Sequence, residues 1–223
     1  FAYENLSNAQ MKEGAYRGKD DVLLLPSIDP DVIEKGGSEE QRALLPPPYS
    51  GGIGAEGGAK LKSWVEDGGT LVALDASSRY VIALFGLPVR NVLDKVPADD
   101  FLCPGSMLRV RFDTAQPLAY GMEADEDVYF GDSPAFETRV PDGRFERRVV
   151  ATYPDNAEDI LVSGYLKGGK RLERRVAVVD LTVGKGRVIL IGFHPQHRAQ
   201  PHRTFKLLWN ALYVAGLKET ELK

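Results

Sequence analysis

The sequence predicts a three-layer α/β domain: a mostly parallel sheet, with an antiparallel hairpin region toward the C-terminus. Three observations carry this reading. Compact apolar runs at residues 21–26, 70–74 and 188–191 have the length and composition of buried strands. Between the first two lies a helical stretch at residues 55–67, and strand, helix and strand in succession argue for a right-handed parallel crossover. Near the end, Thr182-Val183-Gly184-Lys185-Gly186 has the composition of a hairpin turn, which makes the last sheet region mixed.

Taken in order, Ser7 is an N-cap for a short helix to Glu13, which Gly14 stops. Asp21 to Pro26, an apolar run closed by the proline, reads as a central parallel strand. Residues 27–54 read as one long loop, with Gly36-Gly37, three prolines at 46–48, and Gly51-Gly52-Ile53-Gly54. Loops of that length tend to be functional or disordered. The helix at 55–67 presents Ala59, Leu61, Trp64 and Val65 on its apolar side and ends at Gly68-Gly69. A helix at 77–85 follows the strand at 70–74, with Ser77 as its N-cap and Gly86 and Pro88 as its stop. Residues 107–112 alternate Leu108, Val110 and Phe112 with Arg109 and Arg111, the period of a half-exposed strand. Further strands are expected at 149–153, 160–166 and 175–181. Residues 204–217 close the chain as a helix with Phe205, Leu208, Leu212 and Val214 for its buried side. No repeat or linker interrupts residues 1–223, which read as a single domain.

Composition narrows the function classes. The net charge is −4, and the arginine-rich stretches are interleaved with glutamates, so nucleic-acid binding is not expected. No apolar run approaches the roughly 20 residues that span a bilayer, so no membrane segment is expected. Cys103 is the single cysteine, which rules out an internal disulfide and leaves the compartment open. A chain opening on Phe1 reads as a piece of a larger protein, secreted or periplasmic if that parent carries a signal peptide.

The chemistry-bearing residues gather in one loop. His194, His197 and His202, the only histidines, all follow the run at 188–191, and strand ends of open α/β sheets are where ligands bind. Phe193-His194-Pro195-Gln196 resembles the Phe-His-Pro-Glu signature of the class I glutamine amidotransferase-like family. In that family the histidine and glutamate complete a triad with a cysteine held in a Gly-x-Cys-x-Gly elbow. Here Gln196 replaces the acid, and an amide cannot stabilise an imidazolium as a carboxylate does. The elbow segment corresponds to Leu74-Asp75-Ala76-Ser77-Ser78-Arg79, without the cysteine or its flanking glycines. Ala76 and Ser77 are the two expected equivalents of the nucleophile. The resemblance therefore implies a degenerate triad, at Ala76 or Ser77, His194 and Gln196, and no catalytic residue. The enzymatic alternative is a hydrolase using Ser77 and His194. The glycine run Gly51, Gly52 and Gly54 reads as a glycine-rich connection or, since the family's oxyanion-hole loop lies hereabouts, as an anion-binding nest, and with His194, His197 and His202 it forms the candidate binding set. A small-molecule or metal module at the histidine loop is a third reading; zinc does accept three histidines.

A longer resemblance covers the chain from about Leu6 onward. Gly51-Gly52-Ile53-Gly54-Ala55-Glu56-Gly57, Gly68-Gly69-Thr70-Leu71-Val72-Ala73, Phe85-Gly86-Leu87-Pro88-Val89, Cys103-Pro104-Gly105-Ser106-Met107-Leu108-Arg109 and Pro117-Leu118-Ala119-Tyr120-Gly121-Met122 occur in order. Val183-Gly184-Lys185-Gly186-Arg187-Val188 and the histidine loop follow. Together they are similar to the C-terminal amidotransferase-like domain of bacterial zinc carboxypeptidase-like proteins. The resemblance implies a flavodoxin-like core lacking its first strand and helix, hence an open edge that favours self-association into a homo-oligomer. It also implies an upstream carboxypeptidase-like domain as partner. Zinc is expected only in that absent peptidase domain, with no cofactor here: the family's His-x-x-Glu ligands have no match in this chain.

Overall fold

In the computed structural model, residues 2–140 and 143–216 are described. The chain begins with α1 (Asn8–Glu13), whose capping box pairs Ser7 with Gln10 and whose stop is Gly14 at φ 75°. Then come β1 (Val22–Leu25), α2 (Pro30–Lys35), α3 (Glu39–Ala43), α4 (Gly54–Glu66), β2 (Thr70–Leu74) and α5 (Ser77–Phe85). A run of strands follows: β3 (Val89–Asn91), β4 (Ser106–Phe112), β5 (Asp125–Phe130), β6 (Phe136–Thr138), β7 (Phe145–Thr152), β8 (Leu161–Ser163), β9 (Val176–Val183) and β10 (Gly186–Ile191). Finally α6 spans Phe205–Gly216; the expected last helical residue, Leu217, lies outside the described residues.

The main path of the sheet runs β1-β2-β10-β9-β7-β4-β5. Only β1, β2 and β10 are mutually parallel. Every pairing beyond β10 is antiparallel, so the expectation of a mostly parallel sheet is corrected. The cause is the connections: among the described residues, no helix of three turns separates one strand from the next after α5, so the helical crossover that usually joins parallel neighbours is missing there. The turn at Gly184-Lys185 behaves as expected, joining β9 and β10 with Gly184 at φ 60°.

Side-chain alternation gives the sheet two covered faces. Leu71, Ala73, Val188 and Leu190 pack in one cluster with Met11, Ile33, Leu61, Trp64, Val81 and Phe85, so α1, α2, α4 and α5 cover that face. Their neighbours Val72, Leu74, Ile189 and Ile191 belong to the other cluster, with Leu207 and Ala211 of α6. The same cluster takes Leu108, Val110, Val128 and Phe130 from β4 and β5, so the sheet curls around it. Each fully buried leucine or isoleucine here contributes about 2 kcal/mol.

Several expectations are corrected. The run at 21–26 is not a central strand: β1 ends the sheet, and Leu24 is 42 % exposed. Apolar composition cannot tell an edge strand from an inner one, since that depends on the neighbour. The stretch 27–54 is not simply a loop. Asp29 caps α2 with Pro30 at its first turn, and Ser38 with Gln41 forms a capping box for α3. The strand expected at 160–166 shortens to the exposed β8, and β3, β5 and β6 stand where no strand is expected. On α6 the fully buried residues are Leu207 and Ala211, and of the expected ones Leu208 and Val214 pack partly buried against the same cluster.

Glycine at 186 is required by packing. A Cβ there would meet Val65 O at 2.0 Å and Gly69 O at 2.4 Å, both backbone atoms that cannot swing away. Gly186→Ala is expected to cost about 3 kcal/mol, read as a lowered urea midpoint at unchanged m-value; a midpoint equal to wild type contradicts this account of the β10 start.

Candidate functional site

The C-terminal ends of β1, β2 and β10 lie side by side, because parallel pairing sets Leu25 beside Ala73 and Ile191 beside Leu74. The residue that leaves each strand end decides what chemistry sits there. From β2 it is Asp75, buried, with φ 49°. Among L residues aspartate is one of the few that visit this left-handed region, so the turn from strand to helix is tight but attainable. Its amide donates to Ile191 O at 2.7 Å, and its Oδ2 accepts from Ser27 Oγ at 2.6 Å. His194 Nε2 stands 3.2 Å from the same Oδ2. Ser27, Asp75 and His194 thus join the loops that follow β1, β2 and β10.

This corrects the expected elbow position. The residue at the bend is Asp75, not Ala76 or Ser77. Ala76 is already helical, at φ −56° and ψ −34°, as the N-cap of α5. Ser77 is fully buried, and no side chain caps the helix. Its hydroxyl lies 2.7 Å from Leu74 O and 3.2 Å from Leu25 O, so its proton is held by backbone carbonyls and not by His194. Gln196 is exposed and its backbone carbonyl accepts from Ala199 N; the group 3.2 Å from His194 Nε2 is the Asp75 carboxyl.

The histidine loop itself is ordered by stacking. His194 N donates to Tyr129 O at 3.1 Å, and its ring meets the Tyr129 ring edge-on. His197 lies flat on the other part of that tyrosine, with centroids 3.5 Å apart and planes 9° from parallel. Burial, then the Arg198 guanidinium and the neighbouring His194, lower the His197 pKa, which favours the neutral imidazole in the stack. Beyond it, Arg198 and Ala199 hold consecutive positive φ values of 46° and 55°. His202 turns away to pack against Phe205. Among the described residues, no group of three or more His, Cys, Asp or Glu side chains is arranged to hold a metal ion.

The glycine run is engaged elsewhere. A Cβ on Gly52 would strike Glu34 O and Gly36 N, and Ile53 N donates to Ile33 O at 2.8 Å. Gly51, Gly52 and Gly54 all hold positive φ, so they bend the chain around the end of α2 into α4. Cys103 is fully buried in the cluster beneath α6. Burial pushes its thiol pKa up, which keeps it protonated and unreactive at neutral pH.

Sequence reasoning does not single out Ser27 or Tyr129, and it reads Asp75 only as a missing glycine. The usable signal for Asp75 is its place, directly after a five-residue buried strand.

No family model and no curated protein matches the sequence. Solved structures do resemble the fold. A Thermoplasma acidophilum protein named for a GMP synthase component matches at TM-score 0.54 and 12% identity, over 94% of this chain and 78% of that one. A cytoplasmic protein of Salmonella typhimurium matches at TM-score 0.50 and 15% identity, over 95% and 76%. A second, from strain LT2, matches at TM-score 0.50 and 13% identity, over 96% and 89%. At such identities the likeness shows the fold alone: mixed α/β with a large curled sheet, fitting a flavodoxin-like arrangement.

The Asp75 contacts make an ordering prediction. Asp75→Ala removes the carboxyl and keeps the backbone strain, and is expected to cost about 3 kcal/mol. Asp75→Gly also removes the carboxyl but relaxes the bend, and should cost about 1 kcal/mol less. Urea titration of both variants, with amide exchange across residues 192–199, reads the outcome. Equal stability of all three proteins rejects the tie.

Proposed function

We propose that this chain is a non-catalytic accessory or interaction domain with an amidotransferase-like topology, acting beside a zinc carboxypeptidase-like domain. The observation that carries the non-catalytic part is Asp75 at the bend between β2 and α5, where the related enzymes hold a thiol. Its Oδ2 is engaged by Ser27 and faces His194, and its Oδ1 has under 1 Å² of accessible surface. A carboxyl so enclosed has no free oxygen to present to a substrate. The hydroxyl of Ser77 is turned into the fold, and the Cys103 thiol is buried. The association with a peptidase rests on the ordered series of sequence blocks from Gly51 to His202 and on their resemblance to the appended domain of such proteins. Peptides or cell-wall peptides would then be the substrates of the partner domain.

Folded protein is expected to release no ammonia from glutamine and to take no label from a serine-directed fluorophosphonate. Cys103 should react with a thiol-specific disulfide reagent only after denaturant is added. Ammonia release or labelling that disappears in His194→Ala would overturn the reading in favour of an active hydrolase. The peptidase association is tested separately, by reading the parent gene's full frame for a carboxypeptidase-like segment; its absence ends that half of the proposal.

A further inference from the structure

The sheet has an open end at β1. This strand pairs with β2 on one side, and among the described residues no strand pairs with its other side. Register decides which peptide groups look outward. Thr70 N donates to Asp21 O at 3.1 Å, and Val22 stands beside Thr70. Along a parallel ladder, bonding to the neighbour falls on alternate residues. Asp21, Leu23 and Leu25 therefore turn their N–H and C=O groups to β2. Val22 and Leu24 turn theirs away from the sheet, and each brings a donor and an acceptor to the open side.

Edge strands usually carry a protecting device such as a lysine, a proline or a bulge. Strand β1 is Val22-Leu23-Leu24-Leu25, in unbroken register with β2, and has none of these. On the face that α6 covers, Val22 packs partly buried against the core, and Leu24 beyond it is 42 % exposed. Leu23 is buried on the opposite face. An apolar side chain and a row of outward peptide groups are thus presented together.

We infer that this edge pairs with the same edge of a second copy, antiparallel, about a twofold axis at Leu23. That register sets Val22 of each copy opposite Leu24 of the other. Both are pairs of the hydrogen-bonded kind, so every outward donor meets an acceptor. Because the outward groups repeat on either side of Leu23, the edge is complementary to itself, and the twofold pair closes instead of propagating. Charge favours the same mate. Asp20 and Asp21 precede the strand, and antiparallel pairing sets them across from Pro26 and Leu25 of the second copy. A copy laid parallel and in register would bring Asp21 against Asp21, and like charges directly opposite are destabilising. The inference is independent of the state of Asp75 and of any peptidase.

Sedimentation velocity of the full chain, from micromolar concentrations to about 1 mM, where weak association is still measurable, is expected to show monomer and dimer in equilibrium. Amide exchange at Val22 and Leu24 should slow as concentration rises, whereas Leu23 and Leu25, bonded to β2, stay slow throughout. Leu24→Pro removes only an outward N–H, which an edge strand tolerates, and Leu24→Lys puts a charge on the exposed position. Each should weaken the dimer by about tenfold or more. A monomer at every concentration overturns the proposal, whether the Val22 and Leu24 amides exchange freely or are protected within one molecule. A dimer in which those two amides stay fast, or one that keeps its strength in either folded variant, overturns it as well. If neither variant folds, the concentration dependence of the two amides in the unaltered chain decides.

Discussion

The bend at Asp75 is the constraint on which the functional edge of this fold depends. A non-glycine residue at φ 49° costs about 1–2 kcal/mol, and it is held there by what surrounds it. The Asp75 amide bonds to Ile191 O, the carboxyl accepts from Ser27, and His194 stands beside it. A hydrogen bond to a charged group is worth roughly 1.5–3 kcal/mol, which offsets the backbone strain; against it stands Oδ1, buried without a hydrogen-bond partner. Ser77, one step into α5, adds a hydroxyl shared between the carbonyls of Leu74 and Leu25. Two consecutive turns of sequence thereby bind three strand ends into one edge. The same contacts that stabilise the edge also occupy it.

From that edge the loop after β10 runs outward over the antiparallel half of the sheet. Its first part is fixed by Asp75 and by the Tyr129 ring, and its last part leads into α6 through Thr204, whose hydroxyl donates to Pro195 O at 2.5 Å. Between these anchors the backbone passes through two left-handed residues, Arg198 and Ala199. Such a segment cannot relax locally, because both ends are held by buried groups. The loop therefore runs from the parallel strands, where Asp75 stands, to the β4–β5 edge and on into α6.

What can be read from sequence divides along the same physical line. Features set by a residue's immediate neighbours are legible: the Ser7 cap and Gly14 stop of α1, the fully buried β2, the Gly184 hairpin, and α5 from Ser77 to Phe85. The caps at Asp29 and Ser38 are equally local, and the helices they start are masked only because the surrounding glycines and prolines suggest a loop. Features set by pairing are not legible. Nothing in Val22 to Leu25 says that β1 has a neighbour on one side only, and nothing in the middle strands says which way they run. The site falls between these cases. His194 stands out because a histidine after a buried strand is conspicuous. The bend is misplaced by at least one residue, because the backbone angle that defines it has no signature in the residue type.

That small displacement changes the chemistry. With Ser77 at the bend, His194 would face a hydroxyl and could take its proton. With Asp75 there, the imidazole faces an acceptor and has no proton to remove. On the non-catalytic reading proposed above, acyl transfer would require an environment that stabilises a developing oxyanion, and a carboxylate at the bend opposes that charge. The contacts that tie the edge together would then also disfavour nucleophilic catalysis there.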